Sequence, residues 1–206
     1  MTDEGSPNTE LYASFMSEAK IRLVAVHRIL QSLRPNANPP YEAFVDAESC
    51  ILQLRFLCEL VALASLAAHS GVGLNSSLLK GYHAGNIFRD LTRLNVHCFP
   101  KAVNPFVIGP ELRLTVRPDS LDKTGLEKIY SSCGELLHRG ALKKVIGGQV
   151  RNYDMSSVNR WAKQINDLLR YHTIAILDHG YILAITMNSK NDGAVEVVAM
   201  RMMDKP

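Results

Sequence analysis

Residues Tyr41 to His69 constrain the fold of this chain more than any other stretch, because they are apolar almost all round a helical wheel. A helix of that kind is expected to be enclosed by neighbours rather than laid on a surface. The rest of the chain must therefore provide several packing partners, and helices are the first candidates.

Upstream, Pro7 to about Leu33 has the period of an amphipathic helix. Leu11, Phe15, Ala19, Val26, Leu30 and Leu33 fall on one side, and the helix stops near Pro35. Downstream, Ser76 to Leu94 forms a third helix with a break near Gly85. The next stretch, NVHCFPKAVNPFVIGPELRLTVRPDS, carries proline at four positions and excludes a long helix, leaving Leu112–Val116 as a short strand. Thr124 and Glu127 form a capping-box pattern that opens a helix running to about Arg139 and stopping at Gly140. Ser156 or Ser157 caps a last helix, Val158 to about Ile176.

The period then changes. Tyr181–Met187 and Ala194–Met202 are β-rich runs around NSKNDG, a hairpin signal with Asp192-Gly193 in the turn. The expected fold is mainly α: a bundle of about five helices over residues 1–176, with a C-terminal β-hairpin, 177–206, appended to the same domain. A lone hairpin is marginal, so it should pair with Leu112–Val116, pack on the bundle or pair with a second subunit.

At 206 residues the chain can bury a core without disulfides or metal. Cys50, Cys58, Cys98 and Cys133 form no C-x-x-C pair and have the look of reduced, buried thiols. The N-terminus MTDEGSPNTE is neither a signal nor a transit peptide, and the apolar run Phe56–Ala68 is too short to span a bilayer and contains Glu59. These features point to a cytoplasmic protein without a membrane partner. The seven histidines show no metal-ligand spacing, and no G-x-G-x-x-G, P-loop or G-x-S-x-G occurs, so neither metal nor cofactor is expected. A net charge of +3 does not call for DNA. Arg89 and Arg93, with Lys80 before them and Lys143-Lys144 later, make a modest basic face that is either solvated or in contact with RNA phosphate.

Some polar residues fall at unexpected places. Glu48, Arg55 and Glu59 line up within roughly 40° on the apolar helix. They are either its thin solvated edge or a strip facing a cleft, with Arg55 held by carboxylates and ready for an anion. Arg22 projects into the apolar stripe of the first helix. It either snorkels or needs a carboxylate such as Glu48 or Glu59. Its R-x4-H spacing with His27, the spacing of a class of metal-independent ribonucleases, places the two side chains about 140° apart, as expected of chance.

In CGELLHRG, residues 133 to 140, Cys133 and His138 also project about 140° apart, which rejects a Cys–His dyad within the helix. Leu126, Ile129, Tyr130, Cys133, Leu136 and Leu137 define its core face. His138 shares a second face with Ser131 and Gly134, small residues that let another helix come close. The other reading of His138 is a helix C-cap, with Arg139 solvated beside it.

Leu52–His69, Leu91–Val103 and Ile129–Leu142 together resemble an uncharacterised bacterial family with an R-x3-E helix, an LN…FP turn and a Y-x-x-C-G-x-x-L-H helix. More distantly, the R-x3-E helix followed by a G-x-x-x-H helix resembles the HEPN-like superfamily. That resemblance implies a helical homodimer, and in active members a metal-independent RNase in which Arg holds phosphate and His assists 2′-hydroxyl attack or leaving-group departure. The superfamily's signature leaves four to six residues between an Arg and the His that follows it; here the matching places are Ser131, Ser132 and Cys133, and Arg139 follows the His instead.

Three functions follow. One is a regulatory module that binds RNA, nucleotide or a protein partner through the Arg55/Glu59/His138 region, with Arg139, Glu48 and Arg22 as further ligand contacts. Another is an endoribonuclease of toxin or phage-defence type, with His138 as acid/base and Arg55 or Arg139 on phosphate. The third is an interaction module whose polar residues are buried struts.

Overall fold

The computed structural model describes residues 6–32, 40–72, 83–108, 111–138, 153–176 and 180–201. Among the described residues there are five α-helices and five β-strands. In chain order they are α1 Thr9–Ser32, α2 Pro40–Ala68, α3 Ala84–Leu94, β1 Lys101–Ile108, β2 Glu111–Val116, α4 Lys123–Leu137, α5 Met155–Leu169, β3 Tyr171–Ile176, β4 Tyr181–Thr186 and β5 Glu196–Arg201.

The apolar helix takes the central place that its composition demands. In α2, Cys50, Ile51, Leu54, Leu57, Cys58, Val61 and Ala64 are all buried, enclosed by α1, α3, α4 and α5. Each fully buried Leu or Ile contributes about 1.5–3 kcal/mol. The apolar span is longer than Phe56–Ala68: Phe44–Ala68, 25 residues of hydropathy 1.8, has the length and composition to cross a membrane, but 67% of its apolar window is buried inside the protein. Enclosure by protein accounts for that composition here. The core side of α1 is carried by Tyr12, Met16, Ala19, Leu23 and Val26, so Ala19 and Val26 fall as expected whereas Leu11 is exposed and Tyr12 takes its place.

The fold is mixed α and β rather than a helical bundle with a two-stranded appendage. All five strands form one antiparallel sheet in the order β2-β1-β3-β4-β5. The expected helix over 158–176 is therefore two elements: α5 ends at Leu169 and Tyr171–Ile176 is β3. A short apolar run satisfies both periods, and here His172, Ile174 and Ile176 alternate with half-buried neighbours as a strand requires. The hairpin turn lies where expected: Gly193 has φ +70°, its N–H donates to the Ser189 carbonyl at 2.9 Å, and Asp192 Oδ1 accepts from Ala194 N at 2.8 Å. The hairpin pairs with β3 rather than with β2, which lies at the opposite edge. It also packs against α1 through β5.

The strand expected over Leu112–Val116 is present as β2, paired with β1 in a second hairpin that the prolines obscured. β1 meets β3 only at Lys101 and Ala102, so Pro105 lies where β1 has a single neighbour, the kind of position at which proline is tolerated. Both expected helix starts are displaced. α4 is capped by Asp122, which accepts from Gly125 N at 2.7 Å, rather than by Thr124. α5 is capped by Asp154, which accepts from Ser156 N at 3.1 Å and from the Ser156 and Ser157 hydroxyls. The part of the expected third helix before His83 lies outside the described residues.

Two buried polar links tie the helices to the sheet. Asn95 Nδ2 lies 2.9 Å from His69 Nε2 and donates to the Ala175 carbonyl at 2.7 Å, while His69 Nδ1 lies 2.7 Å from the Ser65 carbonyl. Tyr12 Oη lies 2.8 Å from His172 Nε2, and His172 Nδ1 lies 2.8 Å from the Leu169 carbonyl.

Candidate functional site

The seam between α2 and α4 gathers the polar residues of α2. Arg55 and Glu59 are one turn apart and half-buried, with Nε 3.5 Å from Oε1. The Arg55 guanidinium carbon stands 4.3 Å from the centroid of the Tyr130 ring on α4, and Nη2 donates to the Tyr130 hydroxyl at 2.8 Å. That hydroxyl also lies 3.1 Å from Nδ1 of His83, the residue before α3. Arg55, Glu59, Tyr130 and His83 are thus one connected group drawn from two helices and one helix start.

Gly134 makes that arrangement fit. A Cβ at 134 would stand 2.6 Å from Arg55 Nη1, so glycine leaves the space that the guanidinium occupies. The small face expected on this helix does admit a close neighbour, but the neighbour is an arginine side chain.

Burial raises the phenol and the neighbouring thiols. It holds the Tyr130 phenol above its usual value, with Arg55 opposing and Glu59 adding to the shift. Burial pushes the Cys133 thiol up to about 12, with Arg55 again opposing, and Cys58 is raised well above normal by burial and by Cys133. All four cysteines are buried and free. A buried thiol held protonated is a poor nucleophile, so the cluster offers cation, carboxylate, phenol and imidazole.

The other expected site residues separate from this group. Arg22 does not reach Glu48 or Glu59: its Nε and Nη2 donate to Glu18 Oε1 at 2.8 and 2.5 Å, Nη1 donates to Gln53 Oε1 at 2.7 Å, and the guanidinium lies 4.5 Å from the Phe56 ring centroid. An acid one turn back on its own helix, joined by a neutral amide, satisfies it. Glu48 accepts from the Tyr153 hydroxyl at 2.7 Å. His138 is the exposed C-cap of α4, its backbone N–H donating to the Gly134 carbonyl at 3.2 Å. Among the described residues no hydrogen bond joins its imidazole to Arg55 or Glu59. Arg139, Lys80, Lys143 and Lys144 lie outside the described residues.

Comparison with known proteins finds no matching family model, curated protein or solved structure.

Beside the Tyr130 cluster an open groove runs between α3 and α4. Arg89, Thr92 and Arg93 line it from α3, and Lys123, Glu127 and Tyr130 from α4. Asp90 is shared by Arg89 at 3.1 Å and Arg93 at 3.4 Å, and Lys123 Nζ donates to Thr92 Oγ1 at 3.3 Å. Three cations stand against Asp90 and Glu127. The i, i+4 spacing of Arg89 and Arg93 signals that face in the sequence. Tyr130 was legible only as a core residue, because nothing local distinguishes a wholly buried tyrosine from one whose hydroxyl emerges beside a guanidinium. His83 had no local signal at all; its partner is 47 residues away.

Proposed function

We propose that this chain is an RNA-binding, non-catalytic module of HEPN-like type, and that it holds phosphate in the α3–α4 groove. The observation that carries the reading is the convergence of Arg89, Arg93 and Lys123 on one open groove bordered by Tyr130. Arginine pairs bidentately with phosphate oxygens and lysine serves as a point charge. Arg55 and His83 engage the Tyr130 hydroxyl, and Glu59 in turn holds Arg55, so the aromatic residue of the groove is anchored by its partners. The HEPN-like part of the reading rests on the R-x3-E and G-x-x-x-H helices, whose Arg55 and Gly134 lie against each other. The homodimer belongs to the same proposal: Ile21, Val24, Val45 and Leu52 are large apolar side chains exposed on the two long helices, the kind of surface a second copy covers.

Fluorescence anisotropy with a labelled single-stranded RNA tests the reading. Binding should weaken with salt, and each of Arg89→Gln, Arg93→Gln and Lys123→Gln should flatten the log–log salt slope by about 0.7. No binding at low salt, or binding indifferent to all three changes, refutes it. RNA cleavage in EDTA that His138→Ala or His83→Ala abolishes would instead make the chain a metal-independent endoribonuclease.

A further inference from the structure

We propose a second ligand site, at the end of the sheet where β1 begins and β2 ends, that takes a small phosphorylated molecule of nucleotide size. Here the chain brings together the start of β1, the end of β2 and the starts or ends of β3, β4 and β5. The register places Val103 opposite Val116, Ala102 opposite His172, Tyr171 opposite Thr186 and Thr186 opposite Glu196. Between them lies an open cleft of about 620 Å³, lined by Asn104, Arg117, Arg170, Tyr171, Thr186 and Lys190 among others. That volume lies within the ~300–1,000 Å³ of small-molecule sites.

Charge is what sets this cleft apart. Arg117, Arg170 and Lys190 all line it, against the single carboxylate of Glu196. Among the described residues no carboxylate lies within ion-pairing distance of any of the three cations. Arg117 is the telling one. It is half-buried, its backbone N–H is spent on the Ala102 carbonyl at 2.9 Å, and Nη2 donates to the Asp167 carbonyl. Its Nε is shut off from solvent with no hydrogen-bond partner. A guanidinium held in place by one carbonyl, partly desolvated and without a counter-ion, is unfavourable unless an anion joins it. In the α3–α4 groove, by contrast, Asp90 already engages both arginines.

The ligand chemistry follows from the donors. Two guanidiniums and an ammonium suit the several oxygens of a phosphate or diphosphate better than a single carboxylate. Thr186 and Asn104 add neutral hydrogen-bonding groups suited to sugar-like hydroxyls. Arg170 stands 5.6 Å from the Tyr171 ring centroid, a cation and an aromatic surface side by side. The site shares no residue with the α3–α4 groove, so it stands or falls independently of RNA binding.

Isothermal titration of the full chain with ADP, and separately with inorganic pyrophosphate, tests the proposal. Saturable one-to-one binding of either probe is expected. Tighter binding of ADP would assign a nucleotide, whereas equal binding would show that the diphosphate alone is recognised and would remove the nucleotide from the assignment. Arg170→Gln and Lys190→Gln, both on exposed side chains, should each weaken binding roughly tenfold or more, and Glu196→Gln should strengthen it. Arg117→Gln should abolish binding, and the two exposed variants decide the matter if that protein fails to fold. Arg89→Gln should leave the affinity unchanged. No heat at millimolar probe, or binding indifferent to Arg170→Gln and Lys190→Gln, overturns the assignment.

Discussion

His172 shows how much a single residue's chemistry depends on distant sequence. Its ring sits between the Leu169 carbonyl and the Tyr12 hydroxyl, each at 2.8 Å, so the neutral tautomer with a proton on Nδ1 satisfies both nitrogens. Burial pushes its pKa down to about 4, with the Leu169 carbonyl opposing. An unfolded histidine titrates near 6.5, so between those values the unfolded chain binds more protons than the folded one. Stability is complete above about pH 6.5 and is lost as pH falls towards 4, by a total of about 3 kcal/mol. Urea unfolding near pH 7.5 and near pH 4.5 should show that loss in the native sequence, and His172→Gln, although less stable at the higher pH, should show a shallower decline. An unchanged pH slope in the variant would remove His172 as the cause. Nothing near position 172 announces this role, because the partner hydroxyl is 160 residues away. Arg55 was legible for the opposite reason: a charge on an otherwise apolar helix stands out by contrast, and Glu59 lies one turn from it on the same element.

At the scale of elements, the apolar helix and the hairpin turn were legible because each is written in a local pattern: continuous apolarity for α2, Asp-Gly for the turn. Helix starts were less so, because several capping residues compete within a few positions. Asp122, Thr124 and Glu127 all stand near the start of α4, and the capping box uses the last two. The backbone instead begins the helix at Lys123, so Asp122 reaches the free N–H of Gly125. Asp122→Ala should therefore cost about 1 kcal/mol by chemical denaturation, and Thr124→Ala much less. The reverse order would restore the capping box. β3 has the look of a helix in the sequence for a related reason. YHTIAI follows a helix without proline or glycine between them, and six residues are too few for the two periods to differ. What makes it a strand is pairing with β1 and β4, a non-local fact that no window of sequence contains.

On the scale of the whole molecule, that one strand changes the architecture. With β3 read as helix, residues 1–176 look like a self-sufficient bundle and the hairpin an attachment to it. With β3 as the middle strand, the hairpin is part of the same sheet and shares its core. Ile174 and Ile176 of β3 and Leu183 and Ile185 of β4 are all buried with residues of α1, α2 and α5 in one cluster. β4 makes six paired positions with β3, whereas β1 makes two. Lys20 of α1 also donates to the Gly193 carbonyl in the hairpin turn. Ending the chain after Ile176 would strip β3 of its main partner and expose an apolar edge, a known route to aggregation. It would also remove Leu183 and Ile185 from the core, each worth about 1.5–3 kcal/mol on burial, against a total stability of about 5–15 kcal/mol for a domain. A 1–176 fragment should therefore be recovered as aggregate, or as a monomer without a cooperative thermal transition by circular dichroism, while the full chain melts cooperatively. A fragment that melts sharply with native helix content would show that the helices fold without the sheet, and the bundle with an appended hairpin would then be the better description.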